Sequence, residues 1–437
     1  MKTLLVHPPC SLNEKQKTLR FPLGIVCLAS YLKKKGLDAR IYHESAFSAR
    51  GLIKILKDYR PDIVGLSCDS ANADVCFELS RTIKTIHNHA LVVLGGIHAT
   101  YFHRQILKHI PTVDIVVRDE GEETLAEIIS HLSKGKTPDQ LKNIRGGTYR
   151  VNRGIVAAPD RPFFNNMDRL PFLSYELLDM SKILPYSHNF ADWWPVHSGR
   201  GCCYNCKFCA SVGQWKRTLR VMSPQRVMEE VDHCREQYHI RHCFFYELTF
   251  SINKPRVLQI CRLMKNRNIK WGCRTRVDDV NPALLKEMHQ AGCERIVYGV
   301  ESFSDRMLKL MGKTYTAAAA AKALKASHDT GIQSFFQVML GFPGETEETL
   351  RETVETIREI PKGIICNAVN IFQLHPGSPM YALMKKLGMI DDEAWFKGFK
   401  MEDFIRIYYP AEFIKKITRA RDEIKKITQH KNTGASS

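Results

Sequence analysis

Two α/β domains in series, a doubly wound parallel sheet followed by a partial barrel, are predicted from the apolar patterning of this 437-residue chain. Short, largely apolar runs alternate with helical stretches along most of the length. The alternation lapses over residues 146–189, where prolines and a hairpin signal replace it. It resumes just before a loop dense in cysteine, Gly201-Cys-Cys-Tyr-Asn-Cys-Lys-Phe-Cys209. Strands apolar at every position are buried on both faces, which requires helices on both sides and hence a parallel sheet.

In residues 1–145 the runs Thr3–His7, Ala39–Tyr42, Ile63–Ser67, Leu91–Leu94 and Ile115–Val117 read as strands. Helices are expected around Gly24–Lys35, Leu52–Asp58, Val75–Ile86, Arg104–His109 and Thr124–Leu132. Such Rossmann-like sheets bind ligands where the carboxyl ends of strands meet loops. The candidate loops are Pro8–Pro22, Cys68–Asn72, Gly95–Thr100 and Arg118–Glu122. Gly95-Gly96 lets backbone approach a ligand closely, although a tight turn explains it equally well. No G-x-G-x-x-G follows the first strand, which argues against a dinucleotide. Gly312-Lys313-Thr314 imitates the end of a Walker A loop, but Met307 stands where its first glycine should be.

Residues 146–189 read as a connector. Tyr149–Val156 has the pattern of a small hairpin closed at Asn152–Gly154, and Pro159, Pro162 and Pro171 suit an extended crossing segment. The second series occupies 190–385, with strands at Trp194–His197, His242–Tyr246, Lys270–Arg274, Arg295–Val300, Ser334–Leu340 and Ala368–Gln373. Ser223-Pro224 and Asn281-Pro282 each place an N-cap before a proline, and Thr346 caps the helix that begins Glu347-Glu348. Six βα repeats are too few for the closed eightfold barrel and fit a partial, TIM-like (βα)6 form. The cysteine loop then follows the first barrel strand, at the carboxyl end where barrels place their chemistry.

Residues 386–437 form a helical C-terminal extension. Its apolar residues Phe413, Ile417, Ala420, Ile424 and Ile427 recur at three- and four-residue steps, among the cations Lys415, Lys416, Arg419, Arg421, Lys425 and Lys426. That pattern is expected to dock on the protein, with peripheral membrane contact by the basic face as the alternative. The hydrophobic fraction of 44% and charged fraction of 25% are those of an ordinary globular chain. The net charge of +18 is spread along the sequence. No basic block is interleaved with aromatics, so no nucleic-acid groove is expected. With no leader segment and no apolar run near about 20 residues, neither a membrane span nor export is expected, and the site of action is predicted to be cytoplasmic. The cysteines outside the loop read as scattered reduced thiols.

Cys202, Cys206 and Cys209 stand in C-x3-C-x2-C spacing. Three thiolates on one tight loop can hold three corners of a [4Fe–4S] cubane and leave the fourth iron open. A cluster with four cysteines serves electron transfer or structure, whereas an open position invites substrate chemistry. The alternatives are half of a zinc site, for which no second pair exists at similar spacing, and a redox C-x2-C. Cys203, inside the loop, reads as a small packing residue.

The cysteine motif resembles that of the radical S-adenosylmethionine (SAM) superfamily, in its branch with an N-terminal cobalamin (B12)-binding domain. Tyr298-Gly-Val-Glu-Ser302, Gly341-Phe-Pro-Gly-Glu-Thr346 and His375-Pro-Gly-Ser-Pro379 are similar to strand ends and loops of that branch. Pro22-Leu-Gly24, Leu94-Gly-Gly-Ile-His-Ala-Thr100 and Arg118-Asp-Glu-Gly-Glu122 are similar to its cobalamin-type domain. The resemblance implies SAM bound to the open iron, reductive cleavage of its sulfonium and a 5′-deoxyadenosyl radical. It implies SAM contacts at Glu247 and Glu301, with Arg276 and Gln337 as weaker candidates. Where the branch often has two adjacent acids after the second strand, this chain has Glu247-Leu248, so no role is assigned to a second carboxylate. Cobalamin contacts are expected at Ser67, Gly95, Gly96, His98 and Glu120. No Asp-x-His-x-x-Gly occurs, so the usual cobalt-ligating histidine has no counterpart.

The implied activity is methyl transfer from cobalamin to an unactivated carbon or a phosphorus of a small-molecule substrate, with an external electron donor of flavodoxin or ferredoxin type. Two alternatives stay open: a cobalamin-independent radical enzyme catalysing ring formation or rearrangement, with a vestigial first domain, and a non-catalytic Fe–S or metal-binding scaffold. The resemblance assigns no catalytic residue.

Overall fold

The computed structural model describes residues 1–11, 21–43, 48–152, 154–183 and 193–433. Residues 12–20 of the expected Pro8–Pro22 loop and 184–189 of the expected connector therefore lie outside the described residues. The chain divides into two units, Met1–Ala191 with Ile390–Lys400, and Asp192–Met389 with Met401–Ser437.

The first unit is built on a seven-stranded sheet. Its strands are β1 (Thr3–His7), β2 (Ala39–His43), β3 (Ile63–Ser67), β4 (Leu91–Gly95), β5 (Ile115–Val117), β6 (Gly147–Val151) and β7 (Gly154–Ala157), in the order 2-1-3-4-5-6-7. The first five are parallel and begin where their apolar runs begin. The strand order reverses between β1 and β3, and the register sets Ser67 of β3 beside Gly95 of β4 at the carboxyl edge. Burying Leu5, Ile63, Val93 and Ile115 against Ile25, Leu32, Leu125 and Ile128 of two covering helices builds one core layer.

The predicted connector requires correction. Its hairpin is part of the sheet, because β6 pairs antiparallel with β5 and β7 with β6. The reason is Arg118, a buried residue that closes β5. Its guanidinium donates to the Gly147 carbonyl at 2.8 Å, to Thr148 Oγ1 at 2.5 Å and to the Ala158 carbonyl at 2.5 Å. One side chain thus satisfies three acceptors along the hairpin. The predicted C-terminal extension is also divided, since Ile390–Lys400 belongs to the first unit. Glu393 accepts from Lys108 at 3.1 Å and meets His109 at 2.6 Å, and Phe396 stacks on Phe77 and His109.

In the second unit, β8 (Trp194–His197) is followed by β9 (Gly199–Gly201), β10 (Leu219–Val221), β11 (His242–Tyr246), β12 (Lys270–Thr275), β13 (Cys293–Glu301), β14 (Gln333–Leu340) and β15 (Ile365–Ile371). Six of these form one parallel sheet in the order 15-14-13-12-11-8. Neighbours in sequence are neighbours in space, each joined through a helix, which is the partial barrel expected from the repeats. Ser223, Asn281 and Thr346 accept from the backbone N–H groups of Arg226, Leu284 and Thr349, as N-caps do. The antiparallel ribbon of β9 and β10 is an addition that the apolar pattern did not show. The last helix, Ala411–Thr433, packs on β15 and on the Glu347–Glu359 helix and buries Ile417, Ala420 and Ile424. Its apolar face is therefore docked. No helix among the described residues is long and apolar enough to cross a membrane.

Candidate active site

The cysteine loop is clamped at both ends. At its base the β9–β10 ribbon pairs Gly201 with Leu219 and Gly199 with Val221, closing the loop over residues 202–218. Gly201 has φ +91°, and a Cβ there would lie 1.9 Å from the Thr218 carbonyl oxygen, so no other residue fits. Further along, Lys207 N–H donates to the Met311 carbonyl at 2.8 Å, and Met380 N–H donates to the Lys207 carbonyl at 2.9 Å. The middle of the loop is thereby held between the end of the Asp305–Met311 helix and the start of the Pro379–Lys386 helix.

Cys202, Cys206 and Cys209 are partly exposed free thiols on this loop. Burial pushes the Cys202 thiol up to about 11 and raises that of Cys209, so any metal group bound here displaces protons. Among the described residues no three His, Cys, Asp or Glu side chains converge on a single ion. An all-thiolate donor set spread along one clamped loop fits an iron–sulfur cluster, which is a wider frame than one ion.

Two cations approach Cys206. Arg276, one residue beyond β12, sets Nη1 3.8 Å from Cys206 Sγ and lays its guanidinium over the Tyr204 ring at 3.7 Å. Lys313, only 4% exposed, donates to the Gly299 carbonyl at 3.0 Å and pairs with Glu301 at 3.4 Å. Burial opposes its charge, yet Glu301 and Tyr315 carry its pKa above the ordinary lysine range. The sequence pattern passed over Lys313 because its only visible context was a false phosphate loop. The signal that could have found it is its position twelve residues after Glu301, across one short helix. Glu301 itself has φ +73° at a register shift in β13, a conformation that costs a non-glycine residue about 1–3 kcal/mol. Strain of this kind concentrates at functional strand ends. Tyr204 also donates its hydroxyl to Asp279, whose other oxygen accepts from Thr249 Oγ1 at 2.8 Å.

Glu247 lies at the base of the ribbon, just beyond β11. Its side chain is fully enclosed, accepts from Ser198 Oγ at 2.8 Å and pairs with Arg256 at 3.2 Å. Arg256 in turn donates to the carbonyls of Met222 and Ser198. Burial raises the Glu247 carboxyl to about 7 against the pull of Arg256. The residue is thus a strut beneath the ribbon that carries the cysteine loop. Gln337 lies on β14 opposite Gly299, partly exposed, one residue before Val338, the register partner of Glu301.

In the first unit Ser67, Gly95, Gly96 and His98 gather at the carboxyl edge of the sheet. Cys68 N–H donates to the Gly95 carbonyl at 2.7 Å, and His98 N–H to the Cys68 carbonyl at 3.2 Å. Gly96 has φ +102°, and a Cβ would meet the Cys68 carbonyl oxygen at 2.6 Å, so this glycine serves the turn. His98 is buried, with Nδ1 3.0 Å from Ser70 Oγ and Nε2 bonded to nothing among the described residues. Trp395 and Phe102 close over the ring at 5.3 and 4.7 Å between centroids. Desolvation lowers its pKa to about 3. Glu120 accepts from Phe164 N–H at 2.8 Å, which ties the connector to the sheet and gives this carboxylate a structural partner.

Known proteins resemble both units of the chain. Residues 196–357 match the Radical SAM superfamily and residues 14–129 match the B12 binding domain. An uncharacterised methyltransferase of Pyrococcus horikoshii is 31% identical over 96% of this chain and 91% of its own length. The chain belongs to the radical SAM superfamily, in the branch that carries a B12-binding domain. An anaerobic magnesium-protoporphyrin IX monomethyl ester cyclase of Rubrivivax gelatinosus is 28% identical over 82% of the chain, which spans 66% of that protein. Among solved structures, the radical S-adenosylmethionine methyltransferase TsrM of Kitasatospora setae, with cobalamin and a [4Fe-4S] cluster bound, superposes with a TM-score of 0.71. It is 16% identical, and the match covers 89% of this chain and 75% of that one, a likeness of fold. This radical SAM protein is an enzyme, and the [4Fe–4S] cluster, SAM and cobalamin are the cofactors of its family.

Proposed function

We propose that this radical SAM enzyme is a cobalamin-dependent methyltransferase acting on an unactivated carbon or phosphorus of a small molecule in the cytoplasm, with electrons from a flavodoxin- or ferredoxin-type donor. The observation that carries the reading is the clamped three-cysteine loop at the carboxyl end of β8, in one chain with a B12-type sheet. Methyltransferase likeness across nearly the whole length supports the reaction type. The cyclase likeness favours ring formation as the second reading, because the same radical chemistry serves both outcomes.

Cys202, Cys206 and Cys209 would hold the cluster, and Ser67 and Gly95 would line the corrin side of the first sheet. When bound, these groups supply SAM cleavage and methyl delivery. The chain supplies position and charge. Lys313 is placed to neutralise a carboxylate near Cys206, and Glu301, strained into its position, to accept from an ammonium or hydroxyl. Gln337 adds a neutral donor and acceptor from the next strand. Glu247 and Arg256 keep the ribbon fixed, so the loop does not reorganise during turnover. His98 is enclosed by rings and is not assigned to cobalt.

The decisive experiment is anaerobic reconstitution with iron, sulfide and cobalamin, followed by SAM and a reductant. Bound corrin beside about four irons per chain, with release of S-adenosylhomocysteine, is the expected result. Release of 5′-deoxyadenosine without bound corrin would replace methyl transfer by the ring-forming reading.

A further inference from the structure

The Arg276 guanidinium has its donors almost fully committed before any ligand arrives. Nε donates to Asp278 Oδ1 at 2.9 Å, and Nη2 to Asp278 Oδ2 at 2.7 Å and to Thr314 Oγ1 at 2.8 Å. Thr314 donates its hydroxyl proton back to Asp278 Oδ2 at 2.8 Å, so the clamp on that edge is closed. One face of the plane lies on Tyr204, and the side chain is 7% exposed. Tyr204 is held by Asp279, and Asp279 by Thr249 of the loop after β11. What this arrangement aims outward is Nη1, and Nη1 faces Cys206 Sγ at 3.8 Å. A forked cation braced on three sides has one direction left, and a sulfur of the cysteine motif occupies it.

We propose that Arg276 is a positioning residue for the cluster: it directs an N–H···S bond and a fixed positive charge at Cys206 and so sets the reduction potential, and is not a contact for SAM. The inference rests on the cluster assignment above. Hydrogen bonds to cysteine sulfurs and nearby positive charge stabilise the extra electron of a reduced cluster and raise its potential. Asp278 pins the fork but stands on the far side from the sulfur, so its charge offsets that of Arg276 less than a direct neighbour of Cys206 would. The bidentate, planar geometry is one that lysine cannot reproduce.

The test is an anaerobic redox titration of the reconstituted full chain, followed by the electron paramagnetic resonance signal of the reduced cluster, first without SAM and then with it. R276Q is expected to lower the midpoint potential without SAM, at unchanged iron content. R276K, which keeps the charge and loses the fork, is expected to fall between R276Q and the unsubstituted protein. D278N, which leaves the guanidinium in place but unpinned, is expected to move the potential and broaden the signal. It carries the test if R276Q does not retain iron. Unchanged potentials in R276Q and D278N would overturn the proposal. So would an R276Q protein whose potential is normal without SAM but whose signal no longer responds to SAM, since that assigns Arg276 to the substrate side. Failure of the unsubstituted protein to take up a cluster would instead remove the reading on which the proposal rests.

Discussion

His98 has no hydrogen-bond partner among the described residues for a second ring proton. Its Nδ1 faces Ser70, and the rings of Trp395, Phe102 and Phe77 surround the remainder. Desolvation holds its pKa near 3, against 6.5 for a free histidine. Between those values the unfolded chain binds a proton that the folded chain refuses, so stability falls as pH drops from 6.5 toward 3. The loss amounts to about 2 kcal/mol by pH 5. Glu247 and Glu345, both raised to about 7 by burial, slope the other way between 4.5 and 7, because there the folded state keeps the proton. A single variant isolates the histidine. His98→Phe is expected to remove its part of the acid loss, so that the gap in urea stability between variant and native protein widens in the variant's favour from pH 7 to pH 5. Parallel pH profiles would show that His98 takes up its proton in the folded state, and that the aromatic enclosure is looser than described.

At the scale of elements, the ribbon of β9 and β10 decides whether the cysteine loop is a site or only a loop. Gly201→Ala would force a Cβ against the Thr218 carbonyl from a backbone at φ +91°. The ribbon must open, and the three thiols lose their common frame. The expected outcome is reconstituted protein with well under half the native iron and an unchanged far-ultraviolet circular dichroism spectrum. Full iron uptake would mean that the loop organises itself around the cluster without the clamp. The ribbon also shows where the sequence stops speaking. Buried strands announce themselves by apolar runs, so the parallel strands of both sheets, including β3, β5 and β8, begin and end close to where the pattern puts them. Gly199–Gly201 and Leu219–Val221 are three residues each and mixed in character, so no pattern could mark them. The cysteine spacing was legible because it is confined to one short loop. Lys313, Asp279 and the bracing of Arg276 were not, because each depends on which loops the barrel brings together. Glu247 and Glu120 were legible as important acids, but their partners Arg256 and Phe164 N–H were not, because those come from distant segments.

At the scale of the molecule, neither unit is a continuous stretch of chain. The first is completed by Ile390–Lys400, after the six-stranded sheet of the second has been finished, and the second is completed by the last helix. A division at residue 385, natural from the motifs, would take both pieces away. The last helix is the more consequential for the barrel. Ile417 and Ile424 are wholly buried, seven residues apart on one face of Ala411–Thr433, over β15 and the Glu347–Glu359 helix. Ion pairs from Lys416 to Glu347 and from Glu423 to Arg358 border that face, and being exposed they contribute little next to the apolar contact. Truncating a buried isoleucine to alanine costs about 2–5 kcal/mol, and two sites this far apart add nearly in full. Ile417→Ala with Ile424→Ala together is therefore expected to remove about 4–10 kcal/mol, a large share of a domain's stability. The second unit should then melt well below the native protein and lose its capacity to hold iron. Lys416→Ala with Arg358→Ala should melt within a few degrees of the native protein. Equal effects from the two pairs would mean that charge, and not the buried stripe, fastens the helix, and would return its basic face to the role of a surface anchor.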